Sequence, residues 1–221
     1  MARYNRSFSQ IKKESGDFAV YGGLRYDTGS HPKTYIDYEC EFAARYLAGL
    51  NPAKILDIGS YRHFIIGLLS HFSVTTVDIR EREPISTKET VFIGDAKKLD
   101  LPNNEFDVVL SLCTLEHMGL GRYGDEFDLD ADKKAFKEMI RVLKPNGHLI
   151  FTTQITRAKP SIVFNAHRIY SYEMLRVFCG NLTCVEEKFY SSKIKNLCSI
   201  EQITEKPETW DVYLGCWRKT D

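Results

Sequence analysis

The chain has 221 residues, and its 30 basic side chains balance its 30 acidic ones, so its formal charge is zero. This balance disfavours proteins that hold nucleic acid or anionic membranes through overall charge. A single domain is the default at this length. No apolar run approaches the ~18 residues of a membrane span, and the start lacks the apolar stretch of a signal peptide. We therefore expect a cytoplasmic protein with no membrane or nucleic-acid partner.

The cysteines are scattered along the chain and form no C-x-x-C pair. Such spacing fits reduced thiols, buried as small hydrophobes, better than a zinc site or a disulfide framework. No metal site is therefore predicted. The six positions are Cys40, Cys113, Cys179, Cys184, Cys198 and Cys216.

The chain begins with a polar segment that gives way to regular patterns. Residues 1–30 show no clear period, which predicts an irregular N-terminal arm, with one domain over residues 31–221. From Tyr35 to Leu50 the apolar side chains recur at helical spacing. Asn51-Pro52 ends that helix, because a residue before proline is pushed out of the α region.

Beyond Pro52, predicted strands and helices alternate. "AKILDIG", "SVTTVDI", "ETVFIGDA", "EFDVVLSLCTLEH" and "HLIFTTQI" read as strands, and the fourth is apolar enough to be buried on both faces. Helices are predicted at "FIIGLLSHF", at residues 131–143 and at residues 172–178. "CVEEKFY" and "WDVYLGCW" follow as two strands that pair antiparallel, because no helix separates them. The predicted fold is α/β, a Rossmann-like doubly wound sheet, mostly parallel, with an antiparallel strand pair at its C-terminal end.

Five segments in order resemble the successive motifs of class I S-adenosylmethionine-dependent methyltransferases: "ILDIGS", "VTTVDI", "FIGDAKKLDLP", "EFDVVLSLCTLEH" and "RVLKPNGHLIFTT". A single D-x-G motif occurs by chance in many chains, whereas five in order and spacing are specific. "EHMGLGRYGD" and "FNAHRIY" also resemble the signatures of a family of uncharacterised methyltransferase-like proteins, a domain of unknown function. The resemblance implies that the cofactor is S-adenosyl-L-methionine.

The resemblance also implies which residues hold this cofactor. Asp78 ends the second strand, where a carboxylate accepts both ribose hydroxyls. Asp95 matches the position that accepts the adenine amino group, and Asp57 lies near the methionine end. Gly59 lets backbone approach the ligand. The predicted cofactor residues are Asp57, Gly59, Ser60, Tyr61, Asp78, Ile79, Asp95, Ala96 and Leu112.

Each acidic position has a plainer reading, in which Asp57 and Asp78 cap the turns that follow and Asp95 belongs to an ordinary turn. Asp107 precedes the fourth strand, so it is predicted to be structural. A dinucleotide-dependent oxidoreductase would show G-x-G-x-x-G, and "GSYRHF" lacks both later glycines. A P-loop is excluded, because no G-K-[ST] follows any strand.

Past the fourth strand, Glu116 and His117 are the candidate catalytic residues. Methyl transfer is an in-line displacement on a sulfonium, so the leaving group needs no acid, and a base is useful only to remove a proton from the acceptor. Alignment supplies ~7–11 kcal/mol, whereas a positioned base adds ~10²–10⁴ in rate. His117 suits that role and Glu116 could orient it. The alternative is that both side chains only shape the pocket.

Two segments that follow strands at the same edge of the sheet are predicted to bind the acceptor. They offer guanidiniums, an amide, an imidazole and phenols, which suit an anionic or sugar-like small molecule. The alternative pairs Arg122 or Arg168 internally with Asp125, Glu126 or Asp128. The candidate residues are Arg122, Tyr123, Asn165, His167, Arg168 and Tyr170.

Tyr61 and His63 stand where a cofactor loop would usually carry small residues. A second hypothesis is therefore a methyltransferase-like protein that binds S-adenosylmethionine or S-adenosylhomocysteine without turnover, in a binding or regulatory role. A nucleic-acid or protein methyltransferase is disfavoured, because "SLCTLEH" replaces an N-P-P-Y-type motif. The sequence leaves the acceptor, the methylated atom and the oligomeric state open.

Overall fold

The computed structural model describes residues 1–23 and 33–220, and the chain divides into two compact units, residues 1–32 and 33–221. In the first unit, helix α1 (Ala2–Glu14) places Tyr4, Phe8 and Ile11 on one face. The rings of Tyr4 and Phe8 stack with their centroids 5.9 Å apart. The prediction of an irregular arm is therefore wrong for residues 2–14, where three apolar side chains have helical spacing. Residues 24–30 of the predicted arm lie outside the described residues.

The second unit alternates strands and helices before it ends in antiparallel strands. Its helices are α2 (Tyr35–Leu50), α3 (Arg62–Leu68), α4 (Ala131–Val142) and α5 (Tyr172–Phe178), with short 3₁₀ turns at Leu115–His117 and Ile200–Gln202. Its strands are β1 (Ile55–Ile58), β2 (Val74–Asp78), β3 (Glu89–Ile93), β4 (Phe106–Leu112), β5 (Leu143–Ile155), β6 (Ser161–Val163), β7 (His167–Ile169), β8 (Leu182–Ser191), β9 (Asn196–Cys198) and β10 (Asp211–Lys219).

Eight strands form one sheet in the order β3-β2-β1-β4-β5-β10-β8-β9. Strands β1 to β5 are parallel, and β10 lies antiparallel between β5 and β8. The predicted mostly parallel, doubly wound fold with an antiparallel pair is confirmed. Strand order reverses at β1 and β4, and ligands of such sheets bind beyond the carboxyl ends of the strands near that reversal.

Helix α2 shows why the pattern at residues 35–50 specified a helix. Thr34 and Asp37 form a capping box at its start, with the Thr34 N–H donating to Asp37 Oδ2 at 2.7 Å. Asn51 ends it in the left-handed region, and its N–H donates to the Leu47 carbonyl at 2.9 Å. Phe42, Ala43 and Leu47 are buried in the core on one side of the sheet. Burial of such side chains stabilises by ~1.5–3 kcal/mol each.

Strand β4 is buried from Val108 to Leu112, as its apolar run predicted. Asp107 lies at the other end of the sheet, where its Oδ2 accepts from the Ala53 and Lys54 N–H groups and its Oδ1 from Lys144 Nζ at 2.7 Å. The prediction that Asp107 is structural therefore agrees with its contacts.

Three features depart from the sequence expectations. The hairpin β6–β7 and the strand β9 were not predicted, because strands of three residues carry too few positions to show a period. Strand β5 begins at Leu143, five residues earlier than "HLIFTTQI". The cysteines are free as predicted, but Cys184 is exposed, unlike the buried Cys179 and Cys216.

Among the described residues, no helix is long and apolar enough to cross a membrane.

Candidate functional site

A pocket opens at the carboxyl ends of β1, β2, β3 and β4, the edge expected for a ligand. Its empty volume is about 640 Å³, part of it open to solvent. Its lining residues are Ile58, Gly59, Val77, Asp78, Ile79, Arg80, Gly94, Asp95, Ala96, Cys113, Thr114, His117, Met118, Gly119, Tyr123 and Asp125.

Seven of the predicted site residues line this pocket. Gly59, Asp78, Ile79, Asp95 and Ala96 come from the cofactor set, and His117 and Tyr123 from the catalytic and acceptor sets. The remaining ten lie outside the lining: Asp57, Ser60, Tyr61, Leu112, Glu116, Arg122, Asn165, His167, Arg168 and Tyr170.

Gly59 occupies the bend between β1 and α3 at a φ of +63°. A Cβ at this position would lie 2.7 Å from Thr114 Cγ2, closer than real Cβ contacts come. Thr114 Oγ1 lies 3.1 Å from the carbonyl oxygens of both Gly59 and Leu112, which are its acceptors. The loops after β1 and β4 are thus joined, and only glycine combines this backbone conformation with so close an approach.

Asp57 and Ser60 lie beneath the pocket rather than on its wall. Asp57 is fully buried, and its Oδ1 accepts from the Ser60 N–H at 3.2 Å, whereas its Oδ2 has no partner. Ser60 Oγ accepts from the Leu112 N–H at 3.0 Å. Burial outweighs the hydrogen bonds from Ser60 and raises the pKa of Asp57 to about 7. An orphaned carboxyl oxygen at the base of this loop is a hydrogen-bonding position left open for a ligand or a water.

Asp78 and Asp95 present carboxylates from the ends of neighbouring strands. Asp78 Oδ1 accepts from the Arg80 N–H and Nε, and its Oδ2 from Arg80 Nη2 and Arg82 Nη2. Burial works against ionisation of Asp78, but these hydrogen bonds and charges outweigh it and lower its pKa. Asp95 is more exposed, with Oδ1 accepting from the Lys97 N–H at 2.9 Å and Lys97 Nζ 3.2 Å from Oδ2.

The structure places Tyr61 and Leu112 away from the predicted cofactor contact. Tyr61 precedes α3 with 48% of its surface exposed, and its ring faces His63 with the centroids 5.3 Å apart. It is not among the residues that line the pocket. Leu112 is buried in the core below the loop.

His117 lines the pocket and is oriented by the backbone of the β6–β7 hairpin. Its Nδ1 lies 2.6 Å from the Ala166 carbonyl oxygen. Arg122 Nη1, which can only donate, lies 3.3 Å from the same nitrogen. The contact with the carbonyl is much the shorter and a carbonyl only accepts, so we assign the proton to Nδ1 and the lone pair to Nε2. Burial lowers the pKa of His117 to about 4, despite the bond to Ala166, and the charge of Arg122 adds to this. The imidazole is therefore neutral near pH 7.

Glu116 lies behind His117 rather than in the pocket. Its Oε2 accepts from Thr153 Oγ1 at 2.9 Å, and Oε1, which has no hydrogen-bond partner, lies 3.9 Å from His117 Nε2. Burial raises its pKa to about 7. Glu39 of α2 is buried close by, accepts from Thr152 Oγ1 at 2.7 Å, and has a pKa that burial raises to about 7. Glu116 thus contacts the pocket only through its neighbours.

Residues 119–128 form a loop over the pocket that Asp125 holds in shape. Its carboxylate accepts from the N–H groups of Gly121 and Tyr123. Burial opposes ionisation of Asp125, but these backbone hydrogen bonds lower its pKa. Gly119, at a φ of +73°, leaves room for the Asp128 carbonyl oxygen, which a Cβ would approach to 2.2 Å. The glycines of "GLGRYGD" thus let the loop close against the start of α4.

Arg122 lies at the mouth of the pocket. Its Nη1 donates to the Ala166 carbonyl at 3.1 Å, and its guanidinium carbon lies 5.2 Å from the centroid of the Tyr123 ring. Among residues 1–23 and 33–220, no carboxylate forms an ion pair with it. Asp125, proposed above as an internal partner, binds backbone N–H groups instead.

Arg168 and Tyr170 are turned inward, contrary to the prediction that they bind the acceptor. Arg168 is buried, donates to the Met118, Asp128 and Leu129 carbonyls, and lies 3.6 Å from Asp132 Oδ2. Tyr170 is fully buried and donates to the same Asp132 oxygen at 3.0 Å. Side chains along "HRIY" alternate between the two faces of a strand, and the sequence did not show which face the rest of the protein would bury.

The other two predicted acceptor residues lie on the hairpin. His167 is half-buried, with its ring centroid 6.3 Å from that of His117, and burial lowers its pKa. Asn165 is exposed at the hairpin turn. Both therefore flank the mouth of the pocket without lining it.

Sequence reasoning missed several pocket residues, of which Arg80 and Cys113 are the most informative. Arg80 follows Asp78 by two residues, and its guanidinium carbon lies 4.8 Å from the Tyr123 ring centroid; no motif signals it. Cys113 directly follows β4 with a φ of +46°, and nothing in the sequence distinguishes it from a core cysteine. No cluster of metal-ligating side chains occurs in the described part of the chain.

The residues present fit the cofactor that the resemblance implies. Two carboxylates, of Asp78 and Asp95, face one pocket from adjacent strands, where they would accept from ribose and adenine donors. Gly59 lines the same pocket at a φ of +63°, so its backbone is exposed to a ligand without a side chain between them. Asp57 supplies an orphaned oxygen below it.

Comparison with known proteins supports the same interpretation. The family model described as "Methyltransferase domain" matches residues 56–151. This range contains all but the first residue of β1, the strands β2 to β4 and the whole pocket lining. No curated protein sequence matches the chain.

Solved structures share the fold at low sequence identity. The N-methyltransferase NodS from Bradyrhizobium japonicum WM9 is 17% identical over 85% of this chain and 97% of its own, with a TM-score of 0.59. The 1,6-didemethyltoxoflavin-N1-methyltransferase of Burkholderia thailandensis, solved with its substrate and S-adenosylhomocysteine, is 17% identical over 100% and 89%, with a TM-score of 0.60. The [4+2]-cyclase SpnF is 14% identical over 99% and 94%, with a TM-score of 0.65.

Proposed function

We propose that this chain is a class I S-adenosylmethionine-dependent methyltransferase that methylates a small acceptor carrying an anionic group, because residues 56–151 match a methyltransferase family model and solved methyltransferases share its fold. The observation that carries the proposal is the guanidinium of Arg122 at the mouth of the pocket, beside His117 and Tyr123. Among the described residues, both polar contacts of this guanidinium are made by Nη1, to the Ala166 carbonyl at 3.1 Å and to His117 Nδ1 at 3.3 Å, so most of its N–H donors are kept for a carboxylate or phosphate.

The cofactor is proposed to lie between Gly59 and the carboxylates of Asp78 and Asp95, with the backbone at Ile79 and Ala96 beside it. When bound, S-adenosylmethionine supplies a methyl group on a sulfonium, so no acid is needed for the leaving group. Asp57 and Ser60 hold the loop from below. The chain's own contribution is therefore alignment, worth ~7–11 kcal/mol in well-oriented reactions.

His117 is proposed to accept the proton of the acceptor at Nε2. Ala166 fixes the tautomer that leaves this nitrogen unprotonated, and the lowered pKa keeps the ring neutral. Glu116 is proposed to position the ring through the same nitrogen, because its Oε1 lies 3.9 Å from Nε2. A His117→Gln variant should lose ~10²–10⁴ in turnover, and the wild-type rate should not fall between pH 8 and pH 6. A rate that falls with a midpoint near ~6.5 would show that the ring titrates in an ordinary environment.

The first experiment is calorimetric titration of the folded protein with S-adenosylhomocysteine and S-adenosylmethionine. Binding of both is expected, and no binding of either would overturn the proposal. Binding without turnover of any acceptor would favour the binding or regulatory protein instead.

The acceptor class is tested by a screen of anionic, neutral and cationic small molecules. Arg122→Met should raise KM for anionic acceptors by about 10- to 100-fold, as expected for loss of a charge-assisted hydrogen bond, and should leave kcat nearly unchanged. Arg45→Met is the matched control, because Arg45 also stacks on a tyrosine ring, at 4.7 Å from Tyr46, whereas neither that ring nor its carboxylate partner Glu186 lines the pocket. Equal KM values in both variants would rule out an anion site at Arg122.

A further inference from the structure

The carboxylate of Asp78 is saturated by donors from its own chain. Arg80 gives it the backbone N–H at 3.0 Å, Nε at 3.2 Å and Nη2 at 3.1 Å, and Arg82 gives it Nη2 at 2.7 Å. A carboxylate has about four lone-pair sites. No site remains for the two ribose hydroxyls that Asp78 is proposed to accept, so cofactor binding requires one of these arginines to leave.

Arg80 is the side chain able to leave. Its side chain is 54% exposed, whereas that of Arg82 is 12% exposed. Arg80 contributes two of the four donors through its guanidinium, the same number as the ribose hydroxyls that would replace them. After the exchange Asp78 keeps the Arg80 backbone N–H and the Arg82 pair, so its charge stays compensated.

Arg80 already touches the acceptor side of the pocket. Its guanidinium carbon lies 4.8 Å from the centroid of the Tyr123 ring, and that of Arg122 lies 5.2 Å from the same centroid. The Tyr123 ring in turn lies 5.9 Å from that of His117. Two guanidiniums on one ring repel each other unless an anion lies near both. Among the described residues the carboxylate that compensates Arg80 is Asp78, and Arg122 has no such partner.

We propose that Arg80 is a second acceptor-binding residue, released from Asp78 when the cofactor ribose binds and then presented with Arg122 to an oxyanion of the acceptor, a carboxylate or a phosphate. This inference rests on the proposed function. The ribose takes the place of Arg80 on Asp78, and the oxyanion takes the place of Asp78 on Arg80. Cofactor and anion therefore favour each other's binding, by the same factor in each direction.

The first test measures binding of S-adenosylhomocysteine by calorimetry, without turnover. In wild type the ribose displaces the Arg80 side chain, so Arg80→Met, which has no competing donor, should bind about three- to tenfold more tightly. Arg45→Met should bind as wild type does, because its carboxylate and tyrosine partners are not among the pocket-lining residues. Unchanged or weaker binding by Arg80→Met would overturn the inference. Circular dichroism and the melting temperature confirm that each variant is folded.

The second test measures the coupling with inorganic phosphate and with acetate, each against chloride at equal ionic strength. Wild type should bind S-adenosylhomocysteine at least twofold more tightly in phosphate or in acetate, and Arg80→Met should show no such gain. The anion that gives the larger gain identifies the acceptor's oxyanion. No gain in wild type, or an equal gain in Arg80→Met, would overturn the inference.

The two tests also separate this inference from the proposed function. If wild type binds no S-adenosylhomocysteine, the proposed function fails. If wild type binds it and Arg80→Met behaves like Arg45→Met, only the role of Arg80 fails. Arg80→Lys is a second variant, which keeps the charge but loses the planar fork, and its affinity for S-adenosylhomocysteine should lie between those of wild type and Arg80→Met.

Discussion

The two sides of the pocket differ in how the chain builds them. On the cofactor side, the ends of β1, β2 and β3 place Gly59, Asp78 and Asp95 where parallel strands must place them. On the acceptor side, residues 119–128 and the β6–β7 hairpin carry the candidate residues, and Arg168 and Tyr170 are turned into the protein. Sheet geometry fixes the first set, whereas loop packing decides the second.

The largest expected effect separates the two arginines of the acceptor side. Arg168→Met should destabilise the protein by ~3–5 kcal/mol, because it leaves Asp132 as a buried charge without its cation. Arg122→Met should change stability by no more than ~0.5 kcal/mol. Denaturant unfolding measures both. Equal free energies of unfolding for the two variants would mean that Arg168 is no more structural than Arg122.

The next effect concerns the buried carboxyl behind the acceptor side. The pKa of Glu116 is about 7 in the folded protein against ~4.3 unfolded. Its contribution to stability is therefore complete below the unfolded pKa and is lost as pH rises through 7. Between pH 4.5 and pH 8 the loss is about 3 kcal/mol.

Glu116→Gln removes this titration and keeps an acceptor for Thr153. Its melting temperature should fall less than that of wild type between pH 4.5 and pH 8, by roughly 6–12 °C for a domain of this size. If the melting temperatures of the two proteins changed equally with pH, Glu116 would already be ionised at low pH.

On the cofactor side, Asp78→Asn should weaken S-adenosylhomocysteine binding by about 10- to 100-fold, as expected for loss of hydrogen bonds to a charged group. Asp107→Asn is the matched control, because Asp107 makes its contacts at the opposite end of the sheet. Calorimetry should give wild-type affinity for that variant. An equal loss in both would mean that Asp78 acts through stability alone.

The smallest expected effect is at Tyr61, since its ring is half exposed and packs on His63. Tyr61→Ala should bind S-adenosylhomocysteine within about twofold of wild type, less than ~0.4 kcal/mol. Gly59→Ala in the same loop should bind much more weakly, because its Cβ meets Thr114. A strong loss of S-adenosylhomocysteine affinity in Tyr61→Ala would show that Tyr61 contacts the cofactor.

How much of the fold and the site could be predicted depends on how far apart in sequence the interacting residues lie. Strand and helix periods depend on neighbours in sequence, so "EFDVVLSL" and the helix at residues 35–50 specified their elements. The place of Asp78 and Asp95 at strand ends followed from the strand pattern, whereas their proposed roles came from the family resemblance. The burial of Arg168 depends on Asp132, 36 positions away, and Arg80 depends on Tyr123, 43 positions away. A single sequence does not state such pairings.

The position of β10 in the sheet has a consequence for folding. Residues 211–219 come later in the chain than both of their neighbours, β5 and β8, yet they lie between them. During synthesis, the parallel strands β1 to β5 can assemble first. Strands β8 and β9 cannot join that sheet until β10, which lies between β8 and β5, has been synthesised. Contacts of such high sequence separation form slowly. Until β10 inserts, β5 offers an unpaired edge, the state in which a nascent chain is most open to aggregation and chaperone capture.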